Sequence, residues 1–221
     1  NNEVTKRKDN GFFDLEKDQE ALKVYLEEIH DKMISFDDEI ERLHYLVDNN
    51  FYFNVFEKYS EAELIEITEY AKSIHFQFAS YMSASKFYKD YALKTNDKTK
   101  FLEDYNQHVA IVALYLANGN VKQAKQFISA MVEQRYQPAT PTFLNAGRAR
   151  RGELVSCFLL EVDDSLNSIN FIDSTAKQLS KIGGGVAINL SKLRARGEAI
   201  KGIKGVAKGV LPVAKALEGG F

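Results

Sequence analysis

The chain has 221 residues, which suits one large domain or two small ones, and its 45% hydrophobic and 12% aromatic content provides ample core material. A net charge of −2 argues against a general polyanion-binding surface, so no direct nucleic-acid partner is expected. No apolar run approaches the roughly 18 residues that a membrane span requires, so no membrane association is expected either.

The first 137 residues are predicted to form a helical domain, because they contain no proline and place apolar residues at helical spacing. Asp14 is a candidate N-cap for the first helix, and Ser60-Glu-Ala-Glu63 matches a capping box. Tyr81–Tyr88 is interpreted as a turn or loop that enters a helix ending near Tyr91. Further helices are predicted from apolar stripes at Ala21–Ile29, at Ile40–Val47, at Val109–Leu116, which ends at Asn118-Gly119, and at Val121–Glu133.

Residues 138–221 change character and are predicted to be the start of an α/β domain. Pro138 and Pro141 mark the boundary. A strand followed by a helix and a second strand favours a parallel crossover. The predicted elements are a strand at Leu154–Val162, a helix at Ser165–Lys181, a strand at Val186–Leu190, a loop at Leu193–Gly202 and a helix at Val206–Leu217.

Cys157 is the only cysteine, which excludes a disulfide framework and fits a reducing, cytoplasmic compartment. It follows a hydroxyl-bearing turn at Thr140–Gly147 and a basic cluster at Arg148–Arg151, and it opens an apolar strand directly after Ser156. A two-electron redox role would need a partner from outside the chain. The local pattern alone favours a small buried hydrophobic residue.

Three segments have both a structural and a functional interpretation. Gly183–Gly185 could be a helix stop or a backbone surface that a ligand approaches closely. Asp164-Ser165-Leu166 reads as a helix start, whose free amides also favour anions. The cations of the following loop are typical of a solvated surface or of phosphate binding; they are Arg194, Arg196, Lys201 and Lys204.

No metal site is predicted. The histidines lie in the helical half, without metal-ligand spacing to a carboxylate or cysteine, so ordinary surface or core roles are favoured. They are His30, His44, His75 and His108.

The chain resembles the large (catalytic, α) subunit of class I ribonucleotide reductases, and its helical half looks like the class Ib version. The segments that carry the resemblance are Gln137–Gly147, Arg150–Glu161, Asp164–Leu166, Leu179–Val186 and Leu190–Ile200, with Phe87–Asp97 in the helical half. The resemblance implies a helical N-terminal domain, residues 1–137, followed by the first part of a ten-stranded α/β barrel, residues 138–221. It also implies reduction of ribonucleoside diphosphates to deoxyribonucleoside diphosphates by radical chemistry.

The resemblance also implies roles for individual residues. Cys157 matches the reducing cysteine on the first barrel strand, which ends in a disulfide with a cysteine far downstream. Substrate contacts are implied at Thr140, with Thr142 as a close rival, and at Ser156 and Gly185. The effector site, for a deoxynucleoside triphosphate or ATP, is implied at Asp164, Ser165, Leu166, Arg194 and Lys201.

The partners implied by the resemblance are the remainder of the α subunit, a small β subunit with a metal-radical cofactor, a second α chain, and a thioredoxin- or glutaredoxin-like reductant. No cofactor is expected on this chain itself. The family's downstream cysteines and radical-relay tyrosines do not occur in these 221 residues, so we expect the chain to be inert alone, as part of a split, proteolysed or truncated subunit. The alternatives are an inert nucleotide-binding or dimerisation module, and an unrelated helical scaffold with a core cysteine.

Overall fold

The computed structural model describes residues 9, 11, 15–150 and 152–220, and of residues 15–17 it describes the backbone alone. The chain divides into two compact units between Arg151 and Gly152. The helices of the first unit are α1 (Leu15–Asp31), α2 (Glu39–Asp48), α3 (Glu61–Ser73), α4 (Tyr81–Lys86), α5 (Tyr105–Ala117), α6 (Val121–Val132) and α7 (Thr140–Asn145). The second unit contains strand β1 (Cys157–Glu161), helix α8 (Leu166–Lys181), strand β2 (Gly185–Asn189) and helix α9 (Val210–Glu218).

The helix ends of the first unit follow the predicted capping chemistry. Ser60 and Glu63 form the reciprocal capping box that starts α3. Asn118 ends α5 in the left-handed conformation at φ 45°, which Asn tolerates better than most residues. Both predicted ends are confirmed. The candidate N-cap Asp14 lies outside the described residues.

Helix α5 forms the centre of the first unit. The apolar run predicted to be a buried helix, Val109–Leu116, is buried from Val109 to Leu114 and half-buried at Tyr115 and Leu116, and α3 and α6 pack against α5. Exposure of any face of a helix that is apolar on all sides raises the free energy of the folded protein. Neighbouring elements must therefore cover every side of it.

Two segments that were predicted as turns are helical. Tyr81 begins α4, because the Ser80 and Ser83 side chains form a second capping box. A π-helical turn, Phe87–Tyr91, follows α4 directly. The hydroxyl-bearing turn predicted at Thr140–Gly147 is mostly helix α7, with Pro141 in the first turn, where a missing amide proton costs no helical hydrogen bond.

The predicted domain boundary precedes Pro138, whereas the first compact unit continues to Arg151. Residues beyond Pro138 contribute to the buried interior of this unit, among them Phe143, Ala146 and Arg148. The boundary between residues 137 and 138 therefore stays a prediction about domains and does not coincide with the division between the compact units.

The second unit is a β–α–β crossover, as predicted. Strands β1 and β2 are parallel, with Cys157 opposite Gly185 and Glu161 opposite Asn189. Helix α8 packs on both strands. Among the residues that the structure describes, no helix combines the length and the apolarity needed to cross a bilayer.

The last helix starts later than predicted, at Val210 rather than Val206. Gly209 has φ +78°, a conformation outside the helical region, so the helix begins only after it. Pro212 is tolerated because it falls in the first turn.

Candidate functional site

The amino-terminal edge of the two-stranded sheet brings together three of the predicted site residues. Ser156 directly precedes β1, and its carbonyl accepts a hydrogen bond from the Gly185 amide at 2.7 Å. Cys157 lies opposite Gly185 in the strand register, and its Sγ is 3.8 Å from the Ser156 Oγ. Ser156, Cys157 and Gly185 therefore form one continuous patch at the start of both strands.

Cys157 is exposed in this structure. The interpretation as a small buried hydrophobic residue, and with it the scaffold with a core cysteine, is therefore wrong. The reason is the alternation of the strand, which turns Cys157, Leu159 and Glu161 to one face while Phe158 and Leu160 turn to the other. An accessible thiol is the form that can react, since burial in apolar surroundings makes cysteine inert.

The three consecutive glycines have distinct structural reasons. Gly183 has φ +86°, which glycine adopts without strain. A Cβ on Gly184 would lie 2.2 Å from the Phe158 ring, so a side chain there would displace that ring. A Cβ on Gly185 would make only an ordinary contact with the Ser156 carbonyl. Packing within the chain therefore does not require glycine at position 185. The lack of a side chain there can serve another purpose.

Thr140 and Thr142, the candidate substrate contacts, both lie on α7 in the first unit. Thr140 is exposed at the start of the helix, and its Oγ1 is 3.2 Å from the Tyr91 hydroxyl. Thr142 is half-buried one residue beyond Pro141.

The carboxyl-terminal edge of the sheet carries a cavity of about 440 Å³ lined by four of the five predicted effector residues: Asp164, Ser165, Leu166 and Arg194. Asp164 and Arg194 lie in the loops that follow β1 and β2. In open parallel sheets, ligands bind where such loops meet, beyond the carboxyl ends of the strands. Strand β1 is about 13 Å long, because it makes four steps of about 3.3 Å, so the Cys157 patch and this cavity lie at opposite ends of the strand.

Charged and capping groups organise the cavity. Arg194 Nε donates to Asp164 Oδ2 at 2.7 Å, and its Nη1 donates to the Ala199 carbonyl at 2.8 Å. The Ser165 hydroxyl caps α8 by accepting from the Ser168 amide. The cavity thus holds a guanidinium that is ion-paired with Asp164, and it lies beside a helix N-terminus, which favours an anion.

Lys201, the fifth predicted effector residue, does not line this cavity. It is exposed in a tight turn at φ 50°, between the bridged residues Ile200 and Ile203.

A buried ionic network in the first unit was missed from the sequence. The fully buried Glu103 accepts hydrogen bonds from the Leu93 amide at 2.8 Å and from the Tyr52 hydroxyl. His108 Nδ1 is 2.8 Å from Glu103 Oε1, and Arg148 Nη2 is 2.5 Å from the same oxygen. Glu103 directly follows the apolar pair Phe101-Leu102, but it also precedes Asp104, and no local pattern in the sequence distinguishes it from a solvated carboxylate.

The electrostatics of this network hold Glu103 ionised. Burial is the largest single effect and acts to raise the pKa of Glu103, but the Coulombic attraction of Arg148 and His108 and the hydrogen bonds from both together outweigh it and hold that pKa well below the usual range. Arg148 remains charged in the interior because Glu103 raises its pKa against the effect of burial. His108 thus has a core role, one of the two ordinary roles, surface or core, that were predicted for the histidines.

Within the described ranges, no group of three or more His, Cys, Asp or Glu side chains could hold a metal ion.

Three models of one protein family match consecutive segments of the chain. They are "Ribonucleotide reductase N-terminal" at residues 1–76, "Ribonucleotide reductase, all-alpha domain" at 77–151 and "Ribonucleotide reductase, barrel domain" at 155–221. The chain belongs to the ribonucleotide reductase family. The predicted family and the predicted fold class, a helical N-terminal part followed by the start of the barrel, are both confirmed.

Curated relatives of this ribonucleotide reductase chain are named as alpha subunits. It is 52% identical over its whole length to the ribonucleoside-diphosphate reductase subunit alpha of Bacillus subtilis and covers 32% of that protein. The NrdEB subunit alpha of the same organism is 53% identical over the whole chain, which covers 20% of it. The Mycoplasma pneumoniae subunit alpha is 43% identical over 94% of the chain, with 29% of the relative covered. The chain thus spans about a third or less of the length of these relatives.

Proposed function

We propose that this chain is the N-terminal part of the catalytic (α) subunit of a ribonucleoside-diphosphate reductase of the class Ib type. The carrying observation is the match of three consecutive family models in family order, together with 52% identity over the whole chain to a reductase subunit alpha. The reaction replaces the 2′-hydroxyl of a ribonucleoside diphosphate by hydrogen, and it requires the rest of the α subunit.

Cys157 is the proposed reductant. Its thiol and a second thiol from the rest of the subunit supply two electrons and two protons; the 2′ C–O bond breaks, a C–H bond forms, water leaves and a disulfide remains. The exposed position of Cys157 at the start of β1 supports this role, because a buried thiol could not reach a substrate. A thioredoxin- or glutaredoxin-like partner would then reduce the disulfide.

The hydroxyl groups of Thr140 and Ser156 are proposed to contact the substrate diphosphate or ribose. Thr142 is the alternative to Thr140. Gly185 is proposed as a point of close backbone approach. Support comes from the exposure of Thr140 and from the contiguity of Ser156 and Gly185 with Cys157.

The cavity at the carboxyl-terminal edge of the sheet is proposed as the effector site for a deoxynucleoside triphosphate or ATP. Asp164, Ser165 and Leu166 would contact the nucleoside, and Arg194 would bind phosphate, with Lys201 reaching from the neighbouring turn. The joint lining of the cavity by four of these residues supports the assignment. An α–α dimer is proposed to form alongside this site through α8.

The proposed partner for radical generation is a small β subunit. Its metal-radical cofactor supplies the oxidising equivalent that starts each turnover, and no such cofactor is assigned to this chain. A cytoplasmic location fits this chemistry, because the reductant keeps thiols reduced there.

The second candidate function is a catalytically inert module that binds nucleotide or dimerises. It is favoured by the preformed cavity, which needs no second cysteine. The two functions predict different effects of replacing Cys157 in a complete α subunit. Reductase activity requires this thiol, whereas nucleotide binding or dimerisation does not.

The test is Cys157→Ser in the complete α subunit, assayed with its radical partner, an effector, CDP and a dithiol reductant that returns the disulfide to thiols after each turnover. We expect multiple-turnover formation of dCDP to be abolished, because serine cannot form the disulfide. The thermal midpoint and effector affinity of the variant, measured in parallel, should match the wild type. Normal turnover by the variant would remove Cys157 from the mechanism, and an inactive wild-type complex would favour the inert module.

A further inference from the structure

A hydrogen bond joins Tyr91 to the candidate substrate residue Thr140. The Tyr91 hydroxyl lies 3.2 Å from Thr140 Oγ1, although 49 residues separate the two in the chain. Both side chains line a cavity of about 380 Å³ in the first unit, and the Tyr91 ring also packs against Phe143 of α7 with centroids 5.5 Å apart. The contact therefore has both a polar and an apolar component.

The buried network holds the backbone on both sides of this pair. Arg148 Nη2 donates to the Tyr91 carbonyl at 3.2 Å, and His108 Nε2 donates to the Phe143 carbonyl at 2.8 Å. Arg148 and His108 are in turn bonded to Glu103. One buried carboxylate thus fixes the segment that carries Tyr91 and the helix that carries Thr140.

The local backbone at Tyr91 is also unusual. The Ala92 amide donates to the Phe87 carbonyl at 3.0 Å, which closes a π-helical turn that ends at Tyr91. Single π-helical turns are rare and occur frequently at functional sites.

We propose that Tyr91 is a positioning residue that orients the Thr140 hydroxyl for donation to the substrate diphosphate; this inference rests on the proposed function of Thr140. Phosphate oxygens only accept hydrogen bonds, so the Thr140 hydroxyl must donate its single proton to them. The Tyr91 hydroxyl then donates to Thr140 Oγ1, and that leaves the threonine proton free to point at the phosphate. Chained hydrogen bonds of this kind polarise and strengthen one another.

The experiment uses the complete α subunit with its radical partner, a dithiol reductant, CDP as substrate and a saturating effector. Tyr91→Phe should raise the KM for CDP about three- to tenfold, the range for loss of one hydrogen bond, with kcat changed less than about twofold. Thr140→Ala should raise the same KM, and the double variant Tyr91→Phe/Thr140→Ala should be no worse than Thr140→Ala alone. The matched control is Tyr45→Phe, which removes a hydroxyl from the exposed face of α2 and should leave KM unchanged.

Two results would overturn the inference while leaving the proposed function intact. One is an unchanged KM for CDP in the Tyr91→Phe variant although the Thr140→Ala variant shows a raised KM. The other is independent, multiplicative effects of the two substitutions, because a residue that acts through Thr140 has nothing to lose once Thr140 is absent. If wild-type enzyme fails to reduce CDP, the proposed function itself fails. A wild-type KM for Thr140→Ala would reject the role of Thr140, and Tyr91 would lose its role with it.

Discussion

Glu103 shows how much of the first unit depends on a single charged side chain. Its carboxylate is fully buried and bonded to Arg148 and His108, which reach the backbone of Tyr91 and of α7. A buried ion pair adds little net stability over a well-packed apolar pair, but removal of one partner leaves the other charge uncompensated. The main effect of the network is therefore to fix the positions of these segments rather than to add net stability.

Glu103→Gln should destabilise the protein by about 3–5 kcal/mol, because Arg148 is left buried without a counter-charge. Denaturant unfolding at neutral pH measures the change. The control is Glu69→Gln, the same chemical change at an exposed position of α3, which should shift the free energy of unfolding by less than about 0.5 kcal/mol. A small effect of Glu103→Gln would show that the network does not hold the fold.

The same substitution should also alter the dependence of stability on pH. The pKa of Glu103 is lower in the folded protein than in the unfolded chain, where it is about 4.3. The contribution of the ionised Glu103 to the free energy of unfolding is therefore complete above the unfolded-state pKa. It is lost as the pH falls through the lower pKa of the folded state. Glu103→Gln should show a shallower loss of stability below about pH 4 than the wild type, and parallel curves would contradict the assignment.

Arg194→Ala should weaken binding of the effector by about 1–3 kcal/mol, the amount expected for loss of a charge-assisted hydrogen bond. Effector affinity of the complete α subunit, measured by equilibrium dialysis with dATP, reports the change. Arg196→Ala, two residues further along the same loop and outside the cavity lining, is the matched control. Unchanged affinity in the Arg194 variant would remove that residue from the site.

At the scale of elements, helix ends were the most predictable features. A cap is decided by a few neighbouring residues, as with the Ser60–Glu63 box and the left-handed Asn118. Errors arose where two local signals compete. Pro141 suggested a turn although it also suits the first turn of a helix, and the apolar residues from Val206 onward suggested a helix that Gly209 delays.

Ser60→Ala should destabilise the first unit by about 0.5–2 kcal/mol, the usual cost of losing an N-cap side chain. Thermal or denaturant unfolding measures it. Ser73→Ala, at the other end of α3, removes a hydroxyl that only donates back to the Tyr70 carbonyl of its own turn, and it should be nearly neutral. Equal effects of the two variants would argue against the capping role.

For the whole molecule, the change from helical to β–α–β pattern predicted the fold class, and the motifs around Cys157 and Gly183–Gly185 predicted the family. The parallel pairing of β1 and β2 brings the segments that follow the two strands to the same edge of the sheet. The cavity at Asp164 and Arg194 follows from that topology.

The sequence by itself determined the helix caps and the crossover, because each depends on neighbouring residues or on a pattern that repeats along the chain. The candidate residues Cys157 and Arg194 came from the resemblance to the family, since their local patterns left a structural role open. Only the tertiary structure decided the burial of Glu103, its pairing with Arg148 across 45 positions, and the contact of Tyr91 with Thr140 across 49. Such pairs form because packing around α5 removes water from particular places, and no local pattern records which distant groups are left facing each other there.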